Sequence, residues 1–237
     1  MAVYVYSVVA TTHPRRLDDL PGVGDPPATL RTVGNRKLSA VISDAPEGLR
    51  PKRRDLAAHQ DVQERLMADG PVLPLQFGFT AADDEAVRAV LEEHADAFAE
   101  RLRAVEGCSE YHLKAAQDED SMLRRVLAES DEARALNERI RGGADNPELP
   151  LALGELVAQE VQARQERLAA SVLEALRPLA REENTSPATG NDFLNVSFLV
   201  TRDGEADFRT SVRKLATELG DDFDLRLRGP LPAYSFV

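Results

Sequence analysis

The chain has a single cysteine, Cys108, among 237 residues. No internal disulfide can form, and one thiol cannot build a thiolate metal cluster, which fits a reducing compartment. Positive charge is also scarce: 29 Lys and Arg stand against 41 Asp and Glu, for a formal net charge of -12 at pH 7. Such a surface repels nucleic acid and anionic lipid, which argues against both as partners. No apolar run approaches the roughly 20 residues that a membrane helix needs. The opening "MAVYVYSVVATTHP" lacks a basic n-region and a small-residue cleavage site. A cytoplasmic protein is therefore expected.

The usual marks of catalysis are missing too. There is no Walker loop, dinucleotide fingerprint or nucleophile elbow. Gly22 and Gly24 in "PGVGDPPA" lack a third glycine and a helix opening directly after them. The four histidines, His13, His59, His94 and His112, have no second ligand at i+3 or i+4 to form a metal pair. His59 and His94 fall on apolar helix faces, where a hydrogen-bonded core histidine is the simpler reading. Cys108 reads as an inert small hydrophobe. The acidic stretches "ADDEA" and "QDEDS" stand where helices start, and capping accounts for them. No catalytic residue, cofactor or metal is expected. The basic cluster Arg50, Lys52, Arg53 and Arg54 reads as a solvated turn, with an anionic partner as the alternative.

What the sequence does hold is a succession of elements with one apolar face each. Residues 3–9, "VYVYSVV", read as a buried strand, and Gly34 with Asn35 punctuate a hairpin of two more. Ala58, His59, Val62 and Leu66 mark a helix over 54–68. Residues 70–80 form a short apolar strand interrupted by Pro74, which belongs at an edge or bulge because proline cannot donate to a ladder. From Asp83 and Asp84 one long helix carries Val87, Leu91, His94, Phe98, Leu102 and Val105 until Gly107 stops it.

A second block then opens with the alternating "SEYHLKA" and continues with helical stretches. The longest of these has the stripe Leu153, Leu156, Val161, Arg164, Leu168, Val172 and Leu176. After a polar loop, "REENTSPATGND", come the strand "FLNVSFLVT", a helix with Phe208, Val212, Leu215 and Leu219, and the alternating "FDLRLR". The pattern predicts an α+β fold of two domains: 1–107, and 108–228 as a modified ferredoxin-like sheet covered by helices. The tail 229–237, "GPLPAYSFV", would pack on the fold.

Three stretches, "YVYSVV", "HQDVQERLMADGPVLPLQFGF" and the C-terminal "NVSFLVTRDGEADFRTSVRKLATELGDDFDLRLRGPLPAYSFV", together resemble the gas vesicle protein F/L family. The family's Leu-Pro-x-x-Phe-Gly element falls on Leu73, Pro74, Phe77 and Gly78. Its closing motif falls on Gly229, Pro230, Pro232, Tyr234, Ser235 and Phe236, with Leu231 in place of a tryptophan and Ala233 in place of a second paired proline. The resemblance implies a non-enzymatic accessory or minor structural protein that binds the hydrophobic gas vesicle shell protein, works beside other gas vesicle accessory proteins and assists assembly. Candidate partner-binding residues are Leu73, Pro74, Phe77, Gly78, Pro230, Leu231, Pro232, Tyr234 and Phe236.

In an extended tail, Pro230 and Pro232 would end the last strand, and Tyr234 and Phe236 would share one side, either clasped to the chain's own fold or offered to a partner. A ferredoxin-like regulatory module for a small metabolite is the alternative function. An enzyme would require His59, His94 and carboxylates to converge in one polar cleft.

Overall fold

Strand β1 (Val3–Ala10) is buried almost throughout, and its two faces serve two cores at once. It pairs antiparallel with β3 (Leu38–Asp44), and the register slips between Val5 and Ser7, so Tyr6 and Ser7 turn toward the same side. Val3, Val5 and Val8 lie in one cluster with Leu91, Leu102 and Phe236, whereas Tyr4, Tyr6 and Val9 lie in another with Val62 and Leu66. Each such fully buried side chain contributes about 1.5–3 kcal/mol of hydrophobic stabilisation before entropy. The computed structural model describes residues 1–143 and 146–237.

The first sheet runs β2 (Arg31–Gly34), β3, β1, β4 (Leu73–Pro74), and β5 (Thr80–Ala81) also pairs with β1. All its pairs are antiparallel. The Pro74 strand stands at the sheet edge, as a residue without an N–H requires. Residues 75–79 connect β4 to β5 and are held to β1 at both ends, Leu75 N–H donating to the Tyr6 carbonyl and Val5 N–H to the Phe79 carbonyl, with Gly78 at a φ of 95° between them. Helix α1 (Arg53–Asp69) buries Ala58, His59, Val62, Gln63 and Leu66.

The single helix expected over 84–105 is two, α2 (Asp84–Glu93) and α3 (Ala95–Ala104). His94, at φ -106° and ψ 18°, closes the first and opens the second. No glycine or proline announces this break. Asp96 in the new first turn is the favourable charge for a fresh N-terminus.

The second sheet contains β6 (Cys108–Gln117), β7 (Glu182–Thr185), β8 (Asp192–Thr201) and β9 (Phe223–Leu231), in the order β7-β8-β6-β9. That is the ferredoxin-like order. Its first crossover is built from three helices, α4 (Glu119–Glu129), α5 (Asp131–Arg141) and α6 (Glu148–Leu176), and its second from α7 (Glu205–Leu219). The acidic stretches cap as expected: Asp83 accepts from Ala86 N–H, and Asp118 from Ser121 N–H.

Two sequence expectations fail here. Part of "REENTSPATGND" is strand β7, which has no apolar alternation because it sits at a sheet edge and takes its geometry from β8. Pro230 does not end β9, which runs on to Leu231; β9 is likewise an edge, where proline is tolerated.

Contacts divide the chain into two units. One comprises Met1–Tyr111, Leu199–Arg202 and Gly229–Val237; the other comprises His112–Phe198 and Asp203–Arg228. The first unit's core therefore takes Leu199, Ala233 and Phe236 from far along the chain.

Candidate interaction site

In the first unit, β1 and α1 place Tyr4 and His59 against the loop after Pro74. Gly78 N–H donates to the Tyr4 hydroxyl (3.1 Å), which is hydrogen-bonded to His59 Nδ1 at 2.8 Å. The other ring nitrogen lies 3.4 Å from both the Tyr234 hydroxyl and Gln63 Nε2. Around this axis the His59 ring stacks on Tyr6 (centroids 5.7 Å) and meets Phe77 edge to face at 5.8 Å. Gln63 of α1 donates to the Tyr6 carbonyl at 2.6 Å, which also accepts Leu75 N–H, and accepts from Ser7 Oγ at 2.5 Å, satisfying buried polar groups at the β1 bulge.

Burial sets the ionisation of this cluster. It lowers the His59 pKa to about 4, raises Tyr234 to about 12 with help from the nearby Glu110 charge, pushes Tyr4 well up and raises Tyr6. At neutral pH all four are uncharged. The arrangement is a hydrogen-bonded scaffold that fixes the 75–79 loop.

The tail is held from the other direction. The buried Glu110 carboxylate takes Ser235 N–H at 2.8 Å and Ser235 Oγ at 2.7 Å, while Arg101 Nε donates to the Phe236 carbonyl. Residues Tyr234–Phe236 form a 3-10 turn, so Tyr234 and Phe236 diverge and do not share one side. A turn rotates side chains by about 120° per residue where a strand alternates them. Tyr234 goes to His59, and Phe236 goes to the core with Ala233.

The candidate residues thus separate by accessibility. Leu73, Pro74, Pro232 and Phe236 are buried, Phe77, Leu231 and Tyr234 are half-buried, and Gly78 and Pro230 are exposed. Phe79, which sequence reasoning passed over, is 52% exposed on the same loop. Its signal was the doubled aromatic of "FGF": Phe77 packs inward while Phe79, two residues on, stays outside.

The other candidates are accounted for separately. His94 packs on Phe98, and its contacts share no residue with those of His59. His13 bonds the Leu66 carbonyl and His112 bonds Asn195. Among the described residues, no group of three or more His, Cys, Asp or Glu could hold a metal. In the basic cluster, Arg54 pairs with Asp25 at 2.8 Å, and the adjoining cavity is of mixed charge, with Asp44, Glu47 and Asp55 beside Arg50 and Lys52. No helix is long and apolar enough to cross a membrane, among the described residues.

A family profile described as "Gas vesicle synthesis protein GvpL/GvpF" matches residues 2–237. Gas vesicle protein F of Streptomyces sp. (strain CB03234) is 44% identical over 238 residues, covering 100% of both chains. Gas vesicle protein F of Dolichospermum flosaquae is 24% identical, covering 99% of this chain and 97% of that one. The fold matches the crystal structure of GvpF from Anabaena sp. PCC7120 with a TM-score of 0.85 at 22% identity, over 99% of this chain and 97% of that one. GvpF from Microcystis aeruginosa gives a TM-score of 0.78 at 23% identity, over 99% and 98%.

Proposed function

The chain belongs to the gas vesicle protein GvpL/GvpF family, and from that premise we propose that it is a non-enzymatic accessory or minor structural protein which binds the hydrophobic shell protein and assists vesicle assembly. A subunit that lines a gas-filled shell presents apolar, β-rich surface before it is assembled, and such surface aggregates. A partner carrying a net charge of -12 can cover that surface and keep the pair dispersed.

One observation carries this reading: the edge segment 73–81 offers Phe79, 52% exposed, on a loop anchored from behind by Tyr4, His59 and Phe77. An exposed aromatic on a rigid support loses little entropy on docking, which is what an interface anchor needs. Leu73, Pro74, Pro232 and Phe236 would contribute by holding this support, and Gly78, Pro230 and Leu231 by lying at the surface.

Co-expression pull-down tests the reading. The folded chain should retain the shell protein at near-physiological salt, and failure to do so overturns the function. Phe79→Ser should cut retention by about tenfold, as expected for loss of a central aromatic anchor, with melting unchanged. Full retention by that variant would reject the edge as the contact.

A further inference from the structure

The apolar stripe of α6 has one charged member, Arg164. Its side chain is only 19% exposed, and its Nε is buried without a hydrogen bond, 3.7 Å from the Glu160 carboxylate one turn earlier. It borders a cavity of about 240 Å³ in the second unit whose wall also carries Arg125 and Arg167, over a floor of Met122, Leu168 and Phe223. The only carboxylate on that wall is Glu129, which binds Arg164 Nη1 at 2.5 Å. Arg125 reaches Asp222 at 2.9 Å and lies over the Phe223 ring at 5.9 Å. Arg167 uses Nε on the Ala163 carbonyl of its own helix and forms no ion pair among the described residues.

Three guanidiniums face one cavity of a chain whose net charge is -12. Glu129 and Glu160 pair with Arg164 and Asp222 pairs with Arg125, which leaves the Arg167 guanidinium as the one of the three without an ion pair among the described residues. A planar guanidinium fork matches a carboxylate, and an apolar floor disfavours a fully hydrated anion. We propose that this cavity binds a carboxylate attached to a short apolar body, with Arg167 and Arg164 taking the carboxylate while Met122, Leu168 and Phe223 take the body. The same chemistry is met in a free organic acid and in the apolar C-terminal residue of a polypeptide. The site stands independently of the shell-protein contact.

Calorimetric titration of the full chain with 3-phenylpropionate tests this. Saturable binding is expected for the acid and none for 3-phenylpropionamide or inorganic phosphate. Arg167→Gln, at an exposed position, should weaken the acid by about tenfold or more, the usual effect of one charge-assisted bond. Glu129→Gln, which releases Arg164, should tighten it severalfold. If the acid binds, an acetylated Ala-Ala-Phe with a free carboxylate that binds tighter than the acid indicates a polypeptide end; weaker binding indicates a free acid. The proposal is overturned if the acid does not saturate at millimolar concentration, if amide or phosphate binds as well, or if both variants leave its affinity unchanged.

Discussion

Gly229 leaves no room for a side chain. A Cβ there would lie 2.6 Å from Tyr111 Cδ1 and 2.9 Å from the Glu110 carbonyl oxygen, at a φ of 150°. Gly229→Ala should therefore cost about 2–3 kcal/mol, from contact and backbone strain together, read as a lowered urea midpoint. His59 acts at the same scale through protons. Its folded pKa of about 4 lies below the ordinary 6.5, so between those values the unfolded chain binds more protons than the native one. Stability from this group is complete above pH 6.5 and drains away as pH falls toward 4, by about 3 kcal/mol in all. His13 is shifted downward by burial too and works in the same direction. Urea unfolding at pH 7.5, 5.5 and 4.5 should show the decline, and His59→Gln should flatten it; an unaltered slope would locate the titration elsewhere.

The tail completes the first unit at the scale of an element. Deleting residues 229–237 removes Pro232, Ala233 and Phe236 from buried positions and strips Glu110 of its two bonds to Ser235. Loss of one large buried aromatic alone costs about 3–5 kcal/mol, so the deletion should lower the melting temperature sharply. An unchanged melting curve would mean the tail is dispensable to the fold.

Elements with strong periodicity were readable from sequence alone: β1, the hairpin around Gly34, α1, and α6 with its long stripe. What escaped was set by tertiary context. The bend at His94 follows the packing of Val87, Leu91 and Leu102 on the sheet and leaves no glycine or proline behind. Strand β7 owes its shape to β8, and the 3-10 turn of Tyr234–Phe236 owes its shape to Glu110. The Leu-Pro-x-x-Phe-Gly element was found, but its exposed aromatic neighbour was not, because alternation around Gly78 cannot be read without knowing where the loop leaves β1.

At the scale of the molecule, neither unit is one continuous stretch of chain. An expressed fragment 1–107 would lack Cys108, Leu199, Ala233 and Phe236, all members of the first unit's core. It is expected to show loose tertiary packing, with bound hydrophobic dye and poor dispersion of amide signals; a cooperatively folded fragment would refute this.

The same interleaving governs how the protein is made. Val3 and Val5 leave the ribosome well over a hundred residues ahead of Leu199 and Phe236, which complete their packing. At ordinary translation speeds the wait is on the order of ten seconds. Throughout it a nascent greasy sheet stays unfinished, with apolar surface and strand edges exposed to self-association.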